Sequence, residues 1–423
     1  MLIRNFFMVL IMSKIKIDEI KIDRLANLAV NTGLSLKPGQ DLLITSPVEA
    51  LPLVRKIVVY AYKAGANLVT PLFSDPEITL ARYEHAPDSS FDKAASWLYK
   101  GMGEAFDNNT ARLAIVGDDP MLLEHQDPVK IGRTNKALSN ASKPARERIT
   151  TFTINWNIIA WPSKAWASRV FPDLPIEEAQ NSLAEAIFAA SRVNNENPHE
   201  MWKLHNDNLK QKSSWLNSME FDFLHYKGPE TDLKVGLAKN HEWMGGASKS
   251  QNGIICNPNI PSEEVFTTPH SLKVDGHVSS TKPLSHQGSL IEGIRVEFKD
   301  GKIIDAKADK GEKVFNKVLD TDEGARRLGE VALVPDSSPI SQSNILFYNT
   351  LFDENAACHI ALGQCYSKCF KNFESLTNED IKSFGGNSSM IHIDWMIGSK
   401  DINIDGIKEN KIIPVFRNGE WVN

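Results

Sequence analysis

Along the first half of the chain the apolar positions switch between two spacings. Ile20, Leu25, Leu28 and Val30 share one broad helical face and predict a helix over 18–31. Residues 41–45 and 67–73 are short apolar runs, the first following the turn Leu36-Lys-Pro-Gly39, and predict strands. Between them Pro47 opens a helix expected to reach Tyr62, closed by the stop signal Lys63-Ala-Gly65. Asp75, followed by Pro76, starts a short helix to about residue 83. Residues 91–106 are again helical, 112–117 predict a strand, and 149–156 a fourth. Strands separated by helices mean βαβ units and a mostly parallel sheet. Residues 130–148 read as a solvated helix and 177–217 as polar helices.

Beyond that the texture changes. Residues 221–226, 231–236 and 293–298 read as strands joined by short turns, and Asp300-Gly301 is a two-residue hairpin signal. The fold class is therefore α/β in two domains. An N-terminal α/β domain is expected over 13–215 and a mixed α/β domain over 216–423. Residues 1–12 read as a non-structural extension, with Met12 as an alternative start.

A length of 423 residues exceeds one ordinary core, and 42% hydrophobic residues supply two. The net charge of -6 argues against nucleic acid and anionic membrane as partners. No run is long and apolar enough to span a bilayer. Cys256, Cys358, Cys365 and Cys369 are too few for a disulfide framework and point to a reducing cytoplasm. The last three lack the C-x2-C spacing of structural zinc sites. Glycine-rich phosphate loops, the G-x-S-x-G elbow and H-E-x-x-H are all missing from the sequence.

What chemistry remains is carried by His, Asp and Glu in the second half. In Met390-Ile-His-Ile-Asp-Trp-Met-Ile-Gly398 an apolar strand carries His392 and Asp394 at i and i+2, on one face. A carboxylate there needs a partner or a metal. Taken alone, the pair reads equally as metal ligands or as a hydrogen-bonded brace in the core. Glu263 and Glu264 precede an apolar, β-branched run, and if extended only one of them points inward. Glu330 opens an apolar strand, His359 is embedded among small and apolar residues, and Tyr366 lies seven residues on. Oxygen ligands with one or two imidazoles suit Zn, Co, Mn or Mg.

These segments resemble the metallo-aminopeptidases of the thermophilic aminopeptidase T and staphylococcal aminopeptidase S group. The similarity starts near Ile15 with Arg24-Leu-Ala-Asn-Leu-Ala-Val30, Lys37-Pro-Gly39 and Ser46-Pro-Val-Glu49. It continues through Pro261-Ser-Glu-Glu-Val-Phe-Thr267, Leu328-Gly-Glu330, His359-Ile-Ala-Leu-Gly363 and Ile391-His-Ile-Asp394. The resemblance implies two divalent metal ions per chain, held by Glu264, Glu330, His359, His392 and Asp394, with Tyr366 as a ligand or a hydrogen-bond donor. Glu263 then faces away or assists from behind. Glu263 or Glu330 is the general base, and Glu330 and Asp394 are the bridging carboxylates. Cys365 and Lys368 around Tyr366 depart from the family pattern. The implied activity is removal of the N-terminal residue from short peptides by a cytoplasmic homodimer. A metal-stabilised binding scaffold is the reading from another class, and an amidohydrolase acting on a non-peptide amide is the other enzyme.

Overall fold

The computed structural model describes residues 17–286 and 289–422, so the extension expected over 1–12 lies outside the described residues. The chain divides into two compact units. One comprises the described residues to Trp202 with Ala247–Ile260, the other Lys203–Gly246 with Pro261 onward.

The first unit is built on a parallel sheet of β1 (Leu42–Pro47), β2 (Val69–Ser74), β3 (Ala111–Val116) and β4 (Trp156–Ala160), in the order β2-β1-β3-β4. Its core joins Leu42, Ile44, Leu113 and Ile115 of the strands to Ile22, Leu25, Leu53 and Ile57 of two helices, Glu19–Leu28 and Leu51–Lys63. Asp18 caps the first of these, accepting the amides of Ile20 and Lys21. That helix then widens into a π-type turn over Ala29–Gly33 instead of running on to Asn31. Asp75 caps Pro76–His85 as the sequence predicts.

Two expected elements shift. Pro47 does not open a helix. It ends β1 in an extended conformation, a short 3-10 turn follows, and the helix begins at Leu51 with Pro52 in its first turn. No strand occupies 149–156, because the helix Pro128–Thr150 continues through Ile149. Arg148 pins its last turn by donating to the carbonyl of Pro144 and to the Asp107 carboxylate. The fourth strand starts at Trp156, where Trp156–Ala160 pairs with Arg112–Val116 of β3.

The second unit is antiparallel. Its larger sheet of eight strands includes Phe223–Gly228, Thr231–Leu237 and Pro269–Ser279. The hairpin at Asp300-Gly301 joins Arg295–Lys299 to Lys302–Lys307, and both turn residues have positive φ, 50° and 78°. A five-stranded sheet runs in the order His392–Met396, His359–Gly363, Leu328–Leu333, Val265–Thr267, Met244–Gly245. One face of this sheet packs Val331, Leu333, Ile360, Leu362, Ile393 and Trp395 into the core. The opposite face carries the chemistry.

Candidate metal centre

Strand register brings together residues far apart in sequence. Ala361, in the middle strand, pairs with Glu330 on one side and Asp394 on the other. Directly opposite residues share a face, so the two carboxylates flank a methyl group. His392 pairs with Gly363, and His359 lies two residues before Ala361, on the same face. Glu264 sits one residue before the strand Val265–Thr267, which pairs with Val331–Leu333. Small side chains at 361 and 363 separate the acids and imidazoles on this face. The register at Gly363 depends on the residue itself. Its φ is +100°, and an added Cβ would lie 2.1 Å from the carbonyl oxygen of Ile391.

Two ligand trios result, Glu264–Glu330–His359 and Glu330–His392–Asp394, each with donor atoms within 4.8 Å of one another. Glu330 belongs to both. His359 Nε2 lies 3.2 Å from Glu264 Oε2 and 3.8 Å from Glu330 Oε1. His392 Nε2 lies 3.5 Å from Glu330 Oε2 and 3.4 Å from Asp394 Oδ1. The far nitrogen of each ring faces a carbonyl: His359 Nδ1 is 3.2 Å from Ala357 O, and His392 Nδ1 is 2.6 Å from Gln364 O. Only a ring N–H can donate to a carbonyl, so Nδ1 holds a proton and Nε2 is the atom aimed at the carboxylates, free to give its own proton up to a bound ion. That is how metal-binding histidines are oriented.

Electrostatics agree with cation binding. Burial alone would lower the pKa of His359 and His392, yet the facing carboxylates outweigh it and hold both well above the usual imidazole value. Burial raises the pKa of Glu264, whereas His392 outweighs burial at Asp394 and keeps it below the ordinary value. Glu330 Oε2 and Asp394 Oδ1 are buried with no hydrogen bond among the described residues. Buried carboxylate oxygens without donors are costly, and a divalent ion satisfies them. The donor set of two imidazoles and three carboxylates therefore fits a metal taking N and O ligands. Sulfur ligation gains no support. Burial pushes the Cys358 and Cys365 thiols up to about 12 and about 11, which keeps them protonated.

Tyr366 is 43% exposed. Its ring lies tilted against His392 at 4.7 Å between centroids and meets the edge of Phe266 at 6.0 Å. Desolvation, then the negative potential of Glu330 and Asp394, keeps its phenol protonated well beyond the usual range. Glu263 does not face solvent, since both members of the Glu pair are buried. They diverge inside the protein, Glu264 to His359 and Glu263 to His205, whose Nε2 is 3.6 Å from Glu263 Oε2 and 2.7 Å from Ser262 O. Asn355 Oδ1 accepts the Glu263 amide at 2.6 Å. Sequence reasoning missed Glu354. It lines a small pocket together with Asp394, and burial and then repulsion from Glu264 and Asp394 hold its carboxyl well above the usual value. It follows a short helix, Thr350–Asp353, and looks there like an ordinary helix-end charge.

Residues 18–421 match the family model described as thermophilic metalloprotease (M29). Aminopeptidase T of Thermus thermophilus is 48% identical over 402 residues, covering 95% of this chain and 98% of that protein. Aminopeptidase 2 of Geobacillus stearothermophilus is 44% identical over 404 residues, with the same coverage. The solved structure of wild-type AmpT from Thermus thermophilus superposes with a TM-score of 0.91 at 46% identity, covering 95% of this chain and 99% of that one. With the match running nearly end to end, the chain belongs to the thermophilic metalloprotease (M29) family.

Proposed function

We propose that the protein is a metal-dependent aminopeptidase that hydrolyses the N-terminal peptide bond of short peptides at a two-ion centre. The observation that carries this reading is Glu330, shared by two ligand trios on one face of one sheet. Glu264, Glu330 and His359 would hold one ion, and Glu330, His392 and Asp394 the other. Divalent ions bound there supply Lewis acidity and bring the pKa of water toward neutrality.

The chain's own residues supply the rest. Glu330 turns its oxygens to both imidazoles, which commits it to the ions and leaves proton transfer to a carboxylate outside the trios. Two qualify, Glu263 beside His205 and Glu354 facing the cluster. Either would take a proton from water and return it to the leaving amine. Tyr366, protonated and packed against His392, would donate its hydroxyl to the developing oxyanion. Glu263→Gln and Glu354→Gln separate the two carboxylates. The one whose amide loses kcat while metal content stays constant is the base.

A chelator should abolish hydrolysis of aminoacyl anilides, and Co, Zn or Mn should restore it, at two ions per chain by elemental analysis. N-acetylated substrates should resist cleavage. Full activity in a thoroughly demetallated sample would overturn the reading. A cytoplasmic homodimer completes the proposal, checked by light scattering and by comparing dipeptides with casein. Among the described residues no helix is long and apolar enough to cross a membrane.

A further inference from the structure

The second unit contains a separate cavity of about 400 Å³, walled by Lys239, Lys273, Lys371 and Lys408 over Phe221 and Phe223. Two of the lysines share a single carboxylate within the wall. Glu220 Oε1 lies 3.3 Å from Lys371 Nζ and its Oε2 lies 3.2 Å from Lys408 Nζ. The other acid on the wall, Asp222, accepts the amide of Glu409 at 3.3 Å. Lys239 and Lys273 have no carboxylate partner among the described residues. The C-terminal end of the helix Pro198–Met219 opens beside the cavity and adds about half a negative charge. Four ammonium groups against two carboxylates and that dipole leave the wall positive.

Such a wall selects its ligand. Ammonium groups are compact point charges with rotatable donors, suited to tetrahedral oxyanions. Exposed ion pairs are weak, so a ligand with two or more negative charges can draw Lys371 and Lys408 away from Glu220. Lys371 is tied to the metal centre's neighbourhood through the backbone. Its amide donates to Asn240 O at 2.8 Å, and the Glu242 amide donates to Cys369 O at 2.8 Å. Cys369 N–H in turn donates to Tyr366 O at 3.1 Å, as does Thr268 Oγ1 at 3.4 Å. The cavity wall and the segment that begins at Tyr366 therefore form one hydrogen-bonded strip.

We propose that this cavity binds a small multivalent oxyanion of the sulfate or phosphate type, and that its occupancy is transmitted through Lys371 to the segment carrying Tyr366. The source is either free inorganic phosphate or the phosphate group of a metabolite. The binding claim stands independently of the peptidase reading, on which only the transmission rests.

Sulfate is the first probe, because it is a poor ligand for divalent metals. Calorimetric titration of the holoenzyme, with ionic strength held constant by chloride, should show saturable binding at one site per chain. Lys239→Ala/Lys273→Ala should weaken it tenfold or more, and the corresponding double Arg variant should retain it. Absence of saturable heat, or the same affinity in the folded Ala variant, overturns the site. Parallel titrations with inorganic phosphate and glucose 6-phosphate distinguish the two sources by which binds more tightly. Saturating sulfate should change kcat in the wild type at least twofold and leave the Ala variant unmoved. An equal effect in both, or none in either, overturns the transmission, while the binding heats decide the site independently.

Discussion

Glu330 faces both imidazoles, and that position decides what its loss should do. Glu264→Ala or Asp394→Ala removes a ligand from one trio, whereas Glu330→Ala removes one from each. Elemental analysis should find about one ion per chain in the first two variants and close to none in the third. Equal losses from all three would show that Glu330 is not shared. The sequence makes His392 and Asp394 visible because strand periodicity alone puts them on one face, inside a run too apolar to expose them. Glu264, Glu330 and His359 are legible as embedded polar residues, but only strand pairing unites them. Glu354 carries no such signal. Its partners are 264, 330, 359 and 394, and no local pattern at 350–354 points to them. The burial of Glu263 is hidden in the same way, since alternation says that neighbours diverge, not that one of them reaches solvent.

At the scale of elements, the approach of Glu330 and Asp394 depends on Ala361, which lies between them and is fully buried. Ala361→Leu should force the two carboxylates apart. Overpacking a buried position costs about 1–3 kcal/mol, measurable by urea denaturation, and metal content should fall with activity. A variant retaining both ions would disprove the packing account. In the first unit, Tyr60 on the helix Leu51–Lys63 donates its hydroxyl to Asp23 Oδ2 of Glu19–Leu28 at 2.6 Å. That hydrogen bond, together with desolvation, raises the Tyr60 pKa to about 12. An acid with a raised pKa contributes stability that is complete below its unfolded pKa of about 10 and is lost as pH rises through the folded value. Tyr60→Phe should therefore flatten part of the fall in melting temperature between pH 10 and 12, and identical profiles would remove the bond from the stability balance. The helices and strands of this unit are readable because caps and apolar spacing are local. The helix that replaces the strand expected at 149–156 is not, because what holds it to Thr150 is Arg148 reaching Asp107, 41 residues away.

Over the whole molecule, every ligand of the proposed centre lies in the second unit. Without metal that unit holds buried Glu264 and Glu330 and half-buried Asp394 close together, with Glu263 and Glu354 beside them. Like charges in a low-dielectric interior are expensive, and two imidazoles do not neutralise them all. Binding to the native state alone stabilises it by RT ln(1 + [L]/Kd), about 2.7 kcal/mol for each ion at a hundredfold excess over its Kd. Chelation should withdraw that stabilisation where the ligands are and nowhere else directly. Hydrogen exchange should then speed up in Leu328–Leu333, His359–Gly363 and His392–Met396, while β1 to β4 keep their protection. The converse pattern, equal loss of protection in the parallel sheet, would mean that the two units unfold as one and that the metal supports the whole chain. Because exchange reports each strand separately, this distinction survives even if catalysis is already abolished by metal removal.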